Sequence, residues 1–577
     1  MYCQHKKGNS VKINLSSAGA VKKEQYMKNQ QFYKTIFAGI GIFSFGIAVA
    51  QQDTTKKGGI DIVSSFKPVL REAAKINFNA SPPSADTTKA KLNYDIPNQN
   101  LLFAYQPGSL KPLAMDIDSG GKFDNSGYVK AGFGSLRTPF VQAGISLGDG
   151  KTAGLNIYAK HIGSDGKRDY QKFTNTDIKL AGFFKTGNNL EWDASVGMKL
   201  LKTYKYGYEP STLVFSIDSL KQNFQTIAAR VAVHNMNKTA FGLTYWPEIK
   251  IDVFSDNRKN SESNTVLNLP LQKTLGKEFA VNLGITFDLT RLSPVNKSSV
   301  NNTMYYLSPS VLYKTAKINA QVGIRPTWDN KTFKMLPNVL ADITTQDKRF
   351  TFQFGWTGYV RKTTYQYLAS QNPWLWLPAT FKNTRIEERF AGFKGSAGDH
   401  FSYAAKVGFN KLTNQPLFVN NYTTGLGGKS FRVVNEREMK VVNFGGEFGF
   451  AVHEKISIIT GLTFNQYADL KDNAEAWGLA PLEFKTALRL QIIKDLWLKT
   501  DLFAWSGSPY LKKDGSSAKL SGVTDLNAGL EFKITKNINL WTQFNNIFNK
   551  EYQRWNQYPV YGFNFVGGVR FSFDQKN

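Results

Sequence analysis

From about Gly127 onward, apolar and polar residues alternate strictly in one stretch after another. In 191–200, Trp192, Ala194, Val196, Met198 and Leu200 alternate with Glu191, Asp193, Ser195, Gly197 and Lys199. In 279–290, Phe279, Val281, Leu283, Ile285, Phe287 and Leu289 alternate with Ala280, Asn282, Gly284, Thr286, Asp288 and Thr290. In 350–357, Phe350, Phe352, Phe354 and Trp356 alternate with Thr351, Gln353, Gly355 and Thr357. Near the end, Leu526, Ala528, Leu530, Phe532 and Ile534 alternate with Asn527, Gly529, Glu531 and Lys533. Period two held over about ten residues is the mark of a membrane-spanning strand, one face to lipid and one to a wet lumen. Strands in soluble sandwiches alternate too, but most run only about five or six residues. Length decides for a barrel.

The connections alternate as well. Very short turns stand at Lys185–Asn189, Leu275–Lys277, Thr315–Lys317, Gln346–Lys348, His453–Lys455, Lys494–Asp495 and Lys536–Asn537. Between them lie longer polar loops at 207–221, 256–264, 291–303, 362–384, 413–436, 471–479, 509–521 and 549–560. Short turns on one side and long loops on the other are the asymmetry of outer-membrane barrels. Strands are expected to begin near 127, 139, 152, 173, 189, 222, 238, 265, 277, 304, 317, 334, 348, 385, 399, 437, 455, 480, 495, 522, 537 and 561. The fold class is therefore all-β: a membrane-spanning antiparallel β-barrel of about 22 strands. The alternation is weakest in the first strands and near 334, which leaves 20 as the other count. Trp192, Trp246, Trp328, Trp356, Trp497, Trp505 and Trp541 fall at or near strand ends, where amphipathic rings occupy the headgroup layer.

Composition narrows the alternatives. The chain has 577 residues with 48 Gly, 43 Phe and 25 Tyr, and its mean hydropathy is −0.34. So polar an average excludes a bundle of membrane helices, and abundant aromatics with only 20% charged residues exclude disorder. The net charge of +28 would suit nucleic acid, but the lysines are scattered singly without a dense basic run, so no nucleic-acid partner is expected. Charge of this kind suits an exported protein that meets anionic lipid.

One apolar run, Ile36–Ala50, follows Met27, Lys28 and Lys34 and ends in Ala48-Val49-Ala50. A basic start, a short apolar stretch and an A-x-A exit describe a secretory signal peptide over 27–50, with 1–26 as an upstream extension. The sole cysteine, Cys3, precedes it, so disulfides, cysteine metal sites and a cysteine nucleophile are excluded from the exported part. The segment 51–126 follows, and its prolines at 68, 82, 83, 97, 107 and 112 forbid a continuous helix or central strand. It is expected to be a short plug-like or periplasmic segment, with the barrel over 127–577. A lumen of 22 strands is wide and normally plugged.

The most specific stretch is the last. Leu540–Phe548, then Asn549, Lys550, Glu551 and Tyr552, then Tyr558-Pro559 and Phe563–Phe573, resemble the closing hairpin of TonB-dependent outer-membrane receptors. The resemblance spans the barrel and implies 22 strands and uptake of a specific solute across the outer membrane, driven by the TonB system. The stretch 51–126 is much shorter than the plug domain of that family. Ile60, Asp61, Ile62, Val63 and Ser64 form a candidate TonB-box-like stretch near the expected mature N-terminus. Implied partners are outer-membrane lipid, TonB, and a surface lipoprotein or envelope-assembly partner. The other reading is a barrel without transport that serves as a scaffold in envelope assembly or secretion.

Signs of catalysis are few. Gly144-Ile145-Ser146-Leu147-Gly148 fits G-x-S-x-G but lies inside an alternating strand, where a nucleophile elbow has no strand-to-helix turn. His161, His234, His400 and His453 are isolated from one another at non-ligand spacings. Asp116-x-Asp118-x-Gly120 begins like a calcium loop, but Gly127 stands where a bidentate Glu is needed. No catalytic, metal or cofactor site is expected, and the chain does not read as an enzyme. Trp374 and Trp376, in Asn372–Pro378, fall in a long loop as candidate loop aromatics, either a loop core (the preferred reading) or a platform for ligand.

Overall fold

The computed structural model describes residues 127–573, apart from 348, 399, 424–425 and 453–454. The expected signal peptide, the segment 51–126, Ile60–Ser64, the Asp116 stretch and His453 lie outside the described residues.

One antiparallel sheet makes the wall. Each strand pairs with its neighbours in sequence, and the first, Gly127–Gly134, pairs with the last, Asn564–Phe573, from Gly127↔Phe573 to Gly134↔Val566. The sheet thus closes on itself and has no edge to aggregate. It holds 23 strand segments, of which Leu243–Tyr245 and Glu248–Asp256 are two halves of one crossing, both paired with Ser261–Leu275. Pro247 lies in the break, where it has no backbone N–H to give the ladder. The barrel therefore has 22 crossings, which decides between the two counts.

Alternation explains which face goes where. On Phe279–Ser293, Phe279, Val281, Phe287 and Leu289 are exposed on the outside, while Thr286 and Thr290 are buried on the inside. Phe133, 63% exposed, and Val322, 60% exposed, would be costly in water and suit hydrocarbon instead. No described helix is long and apolar enough to cross a membrane; the strands do it.

Strand starts agree with the sequence reading to within a few residues. The largest difference is at the strand expected from 437, which begins at Phe431. There Phe401–Asn420 and Phe431–Val452 stay paired as far as Asn420↔Phe431, so most of the expected loop 413–436 is ladder. Polar residues such as Gln415 and Glu436 take part because beyond the lipid there is no demand for an apolar face.

The tryptophans divide. Trp192 stacks on exposed Phe184, Trp328 packs on Tyr305 and Phe333, and Trp356 is exposed, all on the lipid-facing side. Trp497, Trp505 and Trp541 instead face the lumen, a correction to the expected girdle. Trp541 is buried against Phe140 with the Lys130 ammonium 4.1 Å from its ring centroid, and Trp497 shares a registered row with buried Glu531. Their place near strand ends misled because the end of a strand says nothing of which face a side chain takes. Trp246 sits in the strand break and stacks on His234, 4.5 Å between centroids.

Tight turns need unusual backbone at single positions. Asp495 closes the two-residue turn Lys494-Asp495 at φ +69°, a conformation that Asp and Asn tolerate better than most side chains. At the closing seam Gly568 lies so near the first strand that a Cβ there would meet Ala131 O at 2.0 Å.

The long connections gather at one rim, where the short turns 135–137 and 330–331 also lie, and the other rim carries mainly short turns. The first strand starts at the short-turn rim and the last ends there, as an even number of crossings requires.

Candidate functional site

At the long-loop rim the connections fold inward and pack on one another across the mouth. The loop after Phe350–Arg361 carries the seven-residue helix Tyr365–Gln371, whose N-cap Thr364 accepts the Tyr367 amide. A barrel carboxylate fixes this helix from below: Glu262 accepts the amides of Tyr365 at 2.6 Å and Gln366 at 3.0 Å. The Tyr365 hydroxyl donates to Asp256 at 2.7 Å. Glu436 holds the loop 469–481 in the same manner, accepting the Lys471, Asp472 and Asn473 amides at 2.7, 3.0 and 2.8 Å. Each carboxylate satisfies amides that would otherwise be orphaned at a buried loop end.

Aromatic rings then fill the centre. Trp374 stacks on Tyr558 with centroids 3.8 Å apart, and its Nε1–H donates to Tyr204 O at 3.0 Å. Tyr206 meets both rings edge-on, at 5.8 and 4.9 Å, and its hydroxyl donates to Pro559 O at 2.9 Å. Trp555 packs on Phe418 and Phe431, while Arg554 donates to Gly478 O at 2.8 Å. Phe224, Phe254 and Leu292 of the wall complete the cluster. A second cluster of Leu417, Val419, Met439, Val441, Trp477 and Leu479 lies beside it. The space between Phe418, Gly478, Pro509, Arg554 and Trp555 is about the size of one water molecule. Residues that the chain separates by hundreds of positions thus form a dome with a buried core.

Charge at the dome is uneven. Lys205, directly after Leu190–Tyr204, is among the most buried side chains of the described residues. Burial, then the nearby cations Arg258 and Lys429, push its ammonium down to about 7 against a partial offset from Asp256. Lys429 is lowered by burial and then by Arg258. Burial also raises the Tyr206 and Tyr558 hydroxyls, which stay neutral donors.

Below the dome the inner wall is polar and paired. Lys406 lies 2.7 Å from Glu388, Arg570 lies 3.2 Å from Glu531, and Asn443 donates to Asn465 at 2.6 Å. Such a surface suits water and polar solutes.

The two candidate loop aromatics part company. Trp374 is 4% exposed within the dome, whereas Trp376 is 42% exposed with the Arg258 guanidinium 5.8 Å from its ring centroid. Ser146 lies within the strand Thr138–Gly148 and donates to Asn156 at 2.7 Å, so no elbow turn presents it. His161 shares a hydrogen bond with Thr176, His234 stacks on Trp246, and His400 contacts Ala451 O. Among the described residues no group of three His, Cys, Asp or Glu could hold a metal ion. The sequence reading missed Lys205, Tyr206 and Trp555 altogether. It quoted Tyr558-Pro559 for the closing hairpin alone, without a role in the mouth.

No family model matches the chain, and no curated protein matches it. Solved structures do. A siderophore receptor, PirA of Acinetobacter baumannii, aligns with TM-score 0.61 at 10% identity, covering 78% of this chain and 81% of that one. The FrpB iron transporter of Neisseria meningitidis gives 0.60 at 12%, covering 78% and 81%. The ferric enterobactin receptor PfeA of Pseudomonas aeruginosa gives 0.58 at 11%, covering 78% and 80%. Likeness at such identities is likeness of fold: the barrel is built as the barrels of TonB-dependent outer-membrane receptors are.

Proposed function

We propose that this protein is an outer-membrane receptor that admits a specific solute through a gated barrel. One observation carries the reading: a closed barrel of 22 crossings, wide enough to pass a sizeable solute, has the loops at its mouth joined to the wall by a buried aromatic cluster. An open porin would keep that mouth wet. In this reading the long-loop rim faces outward and the short-turn rim faces the periplasm. In this reading the dome opens for solute.

Energy would enter through Ile60–Ser64, which would add a strand to TonB as extended segments do at sheet edges. A surface lipoprotein is a further candidate partner at the outer rim. The similar structures are named for siderophore and iron transport, so ferric chelates are the first solutes to assay.

The test is uptake of labelled ferric chelates by cells that depend on this protein, with Ile62→Pro as the variant. Proline removes a backbone donor and fixes φ, which disrupts strand addition. Uptake by the parent, lost in Ile62→Pro while the barrel assembles normally, supports the reading. Unchanged uptake in the variant refutes the energised part, and absence of uptake for any tested chelate refutes that solute class.

A further inference from the structure

The outer wall between Phe350–Arg361 and Phe431–Val452 has one feature that a lipid-facing surface does not explain. Register places Trp356, Arg389, Phe409 and Val442 in one outward row across four strands. Three members are apolar or aromatic, and Phe409 is 61% exposed. Arg389 is the exception, exposed with its guanidinium 5.3 Å from the Trp356 ring centroid. The next outward row toward the long-loop rim holds Gly358, Glu387, Lys411 and Lys440. That row marks where the apolar band gives way to charge.

The acids here are already engaged. Glu387 lies 3.5 Å from Arg385, Glu438 lies 2.9 Å from Lys411, and Asp469 lies 2.7 Å from Lys440. Among the described residues no carboxylate is within ion-pair reach of Arg389. An arginine at the edge of the lipid-facing band extends its head to the boundary and seeks an anion there. Trp356 lies at the same level, as rings at headgroup depth do.

We propose that Arg389, flanked by Trp356 and Phe409, binds a phosphate of a phosphorylated glycolipid in the outer leaflet. The guanidinium fork matches two phosphate oxygens, and the exposed rings flanking it lie along the acyl chains of the same molecule. A free anion in solution would lack those chains and would gain nothing from Phe409. The site rests on the membrane-spanning barrel and is independent of uptake.

The experiment uses the full exported chain in nanodiscs of phosphatidylcholine doped with diphosphoryl lipid A or with its dephosphorylated form. Native mass spectrometry reads the retained lipid. The parent should retain the phosphorylated form about tenfold over the other, as one charge-assisted pair implies. Arg389→Gln should abolish the preference, Arg389→Lys should keep part of it, and excess inorganic phosphate should leave the retention intact. Equal retention of the two lipids by the parent, an unchanged preference in Arg389→Gln, or full competition by inorganic phosphate would each overturn the proposal. Heat-modifiable migration of every variant confirms that the barrel is assembled, since Arg389 is exposed and outside the wall's packing.

Discussion

Replacing Trp374 by alanine isolates the dome from the barrel, because Trp374 lies in a loop and takes no part in the barrel ladder. Its ring is almost wholly buried, stacked on Tyr558 and hydrogen-bonded to Tyr204 O. Removing a buried tryptophan costs about 3–5 kcal/mol through lost transfer energy and the cavity left behind. At about 1.4 kcal/mol per tenfold, the open fraction of the dome should rise by about two to three and a half powers of ten. A reporter can be placed on the inner wall below the cluster as Thr226→Cys, opposite Phe254 and Lys199, in a Cys3→Ser background that carries no other thiol. A membrane-impermeant maleimide added to intact cells then reaches that thiol only through the mouth. Labelling should accelerate about 100-fold or more in Trp374→Ala, until it saturates, and Trp374→Phe should recover much of the difference. A change of less than about threefold would show that closure does not depend on the stacked ring, and the gate as described would be wrong.

The dome should also respond to pH through Lys205. Its closed-state value of about 7 lies below the ordinary 10.5, so the closed form favours the neutral amine. Opening should therefore become easier as pH falls from about 10.5 to 7 and level off below, read as labelling of the same thiol divided by that of a free thiol at each pH, because the thiolate fraction itself rises with pH; Lys205→Met should flatten the divided profile, and divided labelling that rises with pH would contradict the sign. At the seam, Gly568→Ala would drive its Cβ against Ala131 O, so heat-modifiable migration should be lost; an assembled variant would mean the strands can separate there without cost.

The wall was legible because membrane and lumen impose a two-residue period that every crossing obeys. Phe279 to Thr290 displays it without interruption, and the described strand Phe279–Ser293 follows. The break at Trp246-Pro247 was less legible, since the proline ends a ladder without ending the crossing. The inward tryptophans were not legible from strand ends, although strict counting from Leu526 and Leu530 through their registered partners would have turned Trp497 and Trp541 inward.

The dome was hidden for a different reason. Its contacts join Tyr206 to Trp374 and Tyr558, and Phe418 to Trp555, across loops that have no period of their own. What the sequence does carry is an excess: rings such as Trp374, between Pro373 and Pro378, and Trp555 and Tyr558, just before Pro559, in segments without the two-residue alternation of the strands. A loop exposed to water gains nothing from such rings, and burying them requires partners that a single loop of this length cannot supply. Several aromatic loops at one rim of a closed barrel therefore have one another as the nearest partners. That inference needs only the rim assignment, which the short and long connections already give. It would have placed Trp374 in a shared core, though not Lys205 beside it, because a buried lysine has the same letter as an exposed one.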